Sequence, residues 1–243
     1  MASCTSYKMM SAAERNKMLS GPRTVLLVGP NRKYYGLPTQ LICRMSPHLA
    51  RLVAESKGQK LELLKENVEE FNVLVEFMLR GVIPGANAKR SIEGNKSTID
   101  QCLRFLESAY KYQIGDVSDV VFEPLLKAFL DLTNHKYRND SNDMKRIAKS
   151  GIRCGIEAND IETIFELCPP GNRLRTLATQ AALSYSGPEG VNIWDEQMEN
   201  VSGFATELMD QVVAGFSRHS WVEPLTKIAR RWVEPLAKIT RRH

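Results

Sequence analysis

Strand-forming sequence in this chain is confined to three short runs before residue 64, and that limit constrains the fold more than any other feature. Thr24-Val25-Leu26-Leu27-Val28 is β-branched and apolar and stops at Gly29-Pro30. Lys33-Tyr34-Tyr35-Gly36-Leu37 follows across the turn-rich Gly29-Pro30-Asn31-Arg32, and Lys60-Leu61-Glu62-Leu63 alternates polar with apolar. Runs of this length and punctuation read as strands, the first two forming a β-hairpin and the third half-buried. Everything after them carries helical spacing, so the sheet is small and the class is α+β.

The helices of the first half follow from caps and periodicity. Thr39 to Cys43 and Pro47 to Ser56 read as two short helices separated by Ser46-Pro47, a capping serine with proline in the first turn. In Asn67 to Leu79, Val68, Phe71, Leu74, Val75, Met78 and Leu79 recur at spacings of three and four, an amphipathic face, and Gly81 stops the helix. Pro84 to Lys96 reads as a polar loop, after which Ser97 or Thr98 caps a helix carrying Cys102, Leu103, Leu106, Ala109 and Tyr110. A fifth helix is expected from about Asp116 to Leu132, with Val117, Val120, Val121, Leu125, Phe129 and Leu132 inward and Pro124 as a kink or restart. The order is β, β, α, α, β, α, α, α.

The expected divisions are a loose arm over 1–20, a first domain over 21–132, a polar linker over 133–143, a helical domain over 144–217 and a basic tail over 218–243. In the helical domain, Asn159 to Glu162 resembles a capping box, Cys168-Pro169-Pro170-Gly171 ends a helix, and Leu174, Leu177, Ala178 and Ala181 mark the next. Trp194, Met198, Val201, Phe204, Leu208, Val212 and Phe216 predict one long helix after that.

The net charge of +5 belongs to the tail. Residues 218–243 hold seven basic against two acidic side chains, and residues 1–217 hold 26 of each. The tail also contains a tandem repeat of period 11, Trp221-Val222-Glu223-Pro224-Leu225-Thr226-Lys227-Ile228-Ala229-Arg230-Arg231 followed by Trp232-Val233-Glu234-Pro235-Leu236-Ala237-Lys238-Ile239-Thr240-Arg241-Arg242. Eleven residues are three helical turns, so Trp221, Leu225, Ile228, Trp232, Leu236 and Ile239 share a face, which Pro235 kinks or splits. Two readings follow. The face docks on an anionic membrane surface or partner groove, with Arg230, Arg231, Arg241 and Arg242 as the anionic-surface contacts. Alternatively it packs back onto the helical domain with the arginines facing water.

Composition narrows the function classes. At 43% hydrophobic and 25% charged, the 243 residues are ordinary for a globular protein of one large or two small domains. No apolar stretch approaches the ~20 residues that cross a bilayer, and Met1 to Ser20 lacks an apolar signal core, so no transmembrane or secreted form is expected. Cys4, Cys43, Cys102, Cys154 and Cys168 are odd in number and widely spaced, which suggests neither a disulfide framework nor a zinc site, and Cys43 and Cys102 read as core residues. The location expected is cytoplasmic, nuclear or both.

Catalytic and cofactor motifs are not found. The strand ending Val28-Gly29-Pro30 lacks the second glycine and the hydroxyl of a phosphate loop. There is no Gly-x-Ser-x-Gly elbow or His-Glu-x-x-His helix. His48 reads as a partly buried structural histidine, and Glu62, Glu66, Glu69 and Glu70 as solvated charges. A non-enzymatic protein without metal or cofactor is expected, with no nucleic-acid partner except weakly through the tail.

Five segments together carry a family likeness: Thr24-Val25-Leu26-Leu27-Val28-Gly29, Tyr35 to Ile42, Ser46-Pro47-His48-Leu49, Leu61-Glu62-Leu63 and Phe71 to Gly81. In order and spacing they resemble a BTB/POZ domain, most of all the fungal BTB proteins that pair it with a helical C-terminal region. The likeness covers about residues 21–130. The chain departs from the family pattern at Pro22 or Arg23, and at Pro38, Leu49 and Leu79, so a charged pocket of the transcription-repressor type is not among its implications.

The resemblance implies a BTB/POZ fold, a small mainly three-stranded sheet capped by about five helices, followed by an all-α region. It also implies a protein-interaction module, acting as substrate adaptor of a cullin-type ubiquitin ligase. Carried over residue by residue, Phe77, Met78, Ile83, Tyr110 and Tyr112 are the candidates for contact with the cullin scaffold, and Leu41 and Leu49 for a homodimer. The alternative is a nuclear BTB scaffold or transcription- and chromatin-associated factor working through self-association and the basic tail.

Overall fold

The computed structural model describes residues 12–57, 60–86, 91–138, 155–185 and 193–217. It is a mixed α+β structure, mostly helical, with a single three-stranded sheet and ten α-helices among the described residues. The chain divides into two compact units, the first made of residues 1–88 and 97–125 and the second of 89–96 and 126–243.

The first unit opens with α1 (Ala12–Leu19), where the sequence predicts a loose arm; its Met18 is buried, and that one apolar anchor escapes a periodicity search. Strands β1 (Arg23–Val28) and β2 (Lys33–Pro38) pair antiparallel as the expected hairpin, with Leu26 opposite Tyr35. β3 (Leu61–Leu63) adds to the other side of β1, parallel, giving the order β2-β1-β3. Alternation sends Leu26, Val28, Tyr35, Leu37 and Leu61 into the core. The turn leaves β1 through Gly29 at φ +74, where a Cβ would come within 2.5 Å of Val68 Cγ2, so glycine is required by both backbone and space.

Between β2 and β3 lie α2 (Thr39–Met45) and α3 (Pro47–Glu55), as the caps predict. Ser46 Oγ accepts from the Leu49 amide and donates to the Tyr112 carbonyl at 2.5 Å, so one hydroxyl starts a helix and ties it to a distant segment. α4 (Val68–Arg80) has Asn67 as its cap, accepting from the Glu69 and Glu70 amides, and ends on Gly81 in the left-handed conformation. Met78, Phe71, Leu74 and Val75 are buried as expected.

α5 (Ile92–Lys111) begins about six residues before the predicted start, because Ser91 rather than Ser97 or Thr98 lies before its first turn, its Oγ accepting from the Gly94 amide. α6 (Ser118–Arg138) runs through Pro124 and continues across 133–138, the first half of the expected linker; the rest of that linker, 139–143, lies outside the described residues. Cys102 is buried, whereas Cys43 is only half-buried, a correction to its reading as a core residue: it faces away from the α2 side that buries Leu41, Ile42 and Met45.

In the second unit, α7 (Ala158–Leu167) starts at a capping box formed by Glu157 and Asp160, two residues earlier than the sequence suggests. α8 (Arg173–Tyr185) follows Gly171. The predicted long helix is two, α9 (Asp195–Asn200) and α10 (Phe204–Ser217), broken at Val201 to Gly203, where Gly203 takes φ +83. The apolar spacing carries through the break because Trp194, Phe204 and Leu208 are all buried.

Arg175 organises this unit from α8. It is 4% exposed, with Nε 2.8 Å from Glu207 Oε1 of α10. Nη1 donates to the Cys168 carbonyl at 3.4 Å and Nη2 to the Ser202 carbonyl at 3.2 Å, and the guanidinium lies 4.1 Å from the Phe165 ring centre. The Nε–H is aimed off the carboxylate, so the Glu207 contact is an ion pair without a well-formed hydrogen bond. One side chain thereby joins the end of α7, the α9–α10 break and α10.

No helix among the described residues is long and apolar enough to cross a membrane. No group of three or more His, Cys, Asp or Glu side chains among them could hold a metal ion.

Candidate functional site

The interaction residues expected from the sequence separate into core and surface. Phe77 is buried edge-to-face against Phe105, with ring centres 4.7 Å apart, and Met78 and Ile83 are buried as well. Tyr112 closes an aromatic row, Tyr35–Phe71–Tyr112–His48, with successive centroid distances of 5.3, 5.7 and 5.8 Å. Its phenol sits beside the Glu66 carboxylate without a well-formed hydrogen bond. Burial first, then the negative charges of Glu66 and Glu70, push that phenol's pKa upward.

These four positions are therefore corrected from surface to core. Leu41 and Leu49 are corrected in the same way, since both are buried and offer a second copy no contact area. Their side chains fill the space between α2, α3 and the sheet because each lies on the inward face of its helix. Tyr110 alone among the predicted contacts is on the surface, 64% exposed near the end of α5. Arg230, Arg231, Arg241 and Arg242 lie outside the described residues.

His48 is half-buried as expected, and its Nδ1 is 3.5 Å from Arg51 Nη2. A cation there cannot serve as the oriented carboxylate a general base needs. Glu62 and Glu66 are each paired, Glu62 with Arg32 at 3.6 Å in the open and Glu66 with Lys111 at 2.6 Å. Glu66 is shielded, so the description as a solvated charge holds for Glu62 and not for Glu66.

What the sequence reading missed is the outer face of the sheet. Register places Leu27 between Tyr34 and Glu62, and Val25 opposite Gly36. Tyr34 is 64% exposed and leans over Gly36, so that a Cβ at Gly36 would meet Tyr34 Oη at 3.2 Å. Val25 and Leu27 beside it are half-buried. This is an apolar strip bounded by the Arg32–Glu62 ion pair, on strands whose other face is core. Strict period-two alternation would have exposed it, but β1 reads as apolar on both faces and so looks fully buried. Chemically the strip can cover a partner's apolar side chains, with the Tyr34 phenol free to donate or accept a hydrogen bond at its surface.

Compared with known proteins, the chain matches no family model, no curated protein and no solved structure.

Proposed function

We propose that the chain is a non-enzymatic protein-interaction adaptor whose first unit is a BTB-like module that presents a cullin-type ubiquitin-ligase scaffold with substrate carried elsewhere on the chain. The observation that carries this reading is the element order from β1 onward: an antiparallel hairpin, two short helices, a parallel third strand beside β1, then long amphipathic helices. That order is the one the five resembling segments imply. A partner surface fits it because the exposed Tyr34, Val82 and Tyr110 are large, mainly apolar side chains.

With Phe77, Met78, Ile83 and Tyr112 in the core, the contact is assigned to Tyr110 and to Val82, which is 54% exposed beside Ile83. The test is calorimetric titration of the full chain with a cullin N-terminal domain at moderate salt. A saturable signal, weakened about tenfold or more by Tyr110→Ala as expected of an aromatic anchor, supports the reading. A folded chain that gives no heat refutes it and leaves a self-associating scaffold, whose contact would be the Val25, Leu27 and Tyr34 strip.

A further inference from the structure

The even charge balance over residues 1–217 conceals two opposite halves. Residues 155–217 carry ten acidic side chains against two basic ones, net −8, while residues 1–154 are net +8. Of the two basic residues, Arg175 is buried on Glu207, so only Arg173 is left on the surface of the helical segment. Asp195, Glu196 and Glu199 on α9 and Asp210 on α10 are exposed and pair with no cation among the described residues.

In the same segment α10 exposes an apolar face. Phe204 and Leu208 turn inward, Phe204 against the Phe165 ring of α7, and the opposite side carries Met209, 55% exposed, and Val213, 58% exposed and one turn on, with Asp210 alongside. Large apolar side chains repeating at i and i+4 on the outside of a helix, with a carboxylate alongside and net negative charge across the segment, suit an apolar and basic segment.

We propose that the occupant is the chain's own tail, residues 218–243, docked in cis on the Met209–Val213 face. The tail is the complement of that face: net +5, with Trp, Leu and Ile recurring at the 11-residue period and Lys-x-x-Arg-Arg clusters between them. It begins directly after α10 ends at Ser217, and 26 residues reach far beyond the ~6 Å separating Val213 from that end. The basic 1–154 region repels such a segment, and the acidic helices attract it. Two copies of one motif give two attachment points, so the first bound copy raises the effective concentration of the second.

The full chain supplies its own test, since its third tryptophan, Trp194, is buried with its indole N–H on the Ala182 carbonyl and stays silent to a quencher. Acrylamide quenching then reads Trp221 and Trp232, and zero-length carbodiimide coupling reads which carboxylates Lys227 and Lys238 touch. Shielded indoles, with coupling to Asp195, Glu196, Glu199 or Asp210 in the monomer fraction, are expected. The double charge reversal Glu199→Lys, Asp210→Lys sits on exposed sites and should weaken docking roughly tenfold. Indoles open to quencher in buffer with no coupling overturn the proposal. Coupling found only in dimers overturns it in favour of a second copy, and shielding that requires phosphatidylserine vesicles overturns it in favour of a membrane surface.

Discussion

Arg175→Ala should be among the most destabilising single substitutions in the helical unit. Truncation removes the cation from Glu207, whose side chain is 20% exposed, and takes one donor each from the Cys168 and Ser202 carbonyls. Breaking a buried pair by deleting one partner costs about 3–5 kcal/mol, and loss of the Phe165 contact adds about 1 kcal/mol. These terms share one side chain and do not add fully, so a net loss of about 4 kcal/mol is expected. At a denaturant slope of about 2 kcal/mol per molar, that moves the urea midpoint by roughly 2 M. The assay is urea unfolding followed by near-ultraviolet circular dichroism of Trp194, which is buried in this unit. Arg175→Lys keeps the charge without the planar fork and should lie in between. Arg175→Met combined with Glu207→Leu removes both charges and should recover stability over Arg175→Met alone. An alanine variant within about 1 kcal/mol of wild type, or a double variant no more stable than the single one, would falsify the view that Arg175 is the organising charge.

Three further outcomes follow from local geometry. Gly29→Ala forces a Cβ to 2.5 Å from Val68 Cγ2 at φ +74 and should cost about 1–3 kcal/mol by chemical denaturation; an unchanged midpoint would mean that the turn relaxes freely. Asn67→Ala removes the cap on the Glu69 and Glu70 amides and should cost about 1 kcal/mol, whereas Asn67→Asp should retain it. Burial pushes the Cys102 thiol from 9.0 up to about 12, so the native state holds a proton the unfolded chain loses. Stability therefore falls as pH rises from about 9 toward 12, by at most about 1.4 kcal/mol per unit, and Cys102→Ala should flatten that fall relative to wild type in alkaline unfolding series.

The elements legible in the sequence are those fixed by local chemistry. Pro38, Ser46-Pro47, Asn67 and Gly81 are punctuation whose backbone demands are met on the spot, and the helices they bound fall within a residue or two of expectation. The starts of α5 and α7 are misread because the sequence offers more than one capping residue there, and two other misreadings arise where tertiary contacts decide. Val201 to Gly203 interrupts no apolar spacing, and Gly203 is needed because a Cβ there would lie 2.4 Å from Arg175 Nη2, a side chain 28 positions away. α1 is anchored by the buried Met18, a single apolar position that periodicity does not register.

The site residues show the same division more sharply. Helical spacing alone put Met78 on the inward face of α4, and carrying family contacts across put it on the surface; its burial sides with the spacing. Phe77 lies off that face and is buried nonetheless, because α4 packs on two sides and meets Phe105 of α5 with its second one. A single-face reading describes a helix lying on a core and fails for one held between two layers. Tyr110 differs for the converse reason: its neighbours Ala109, in α5, and Tyr112, just past its end, are buried, while Tyr110 itself is exposed. A position transferred from a resemblance is thus open to a partner only where its side chain stays outside the core. Burial removes Phe77, Met78, Ile83 and Tyr112 from that set, and exposure leaves Tyr110 in it.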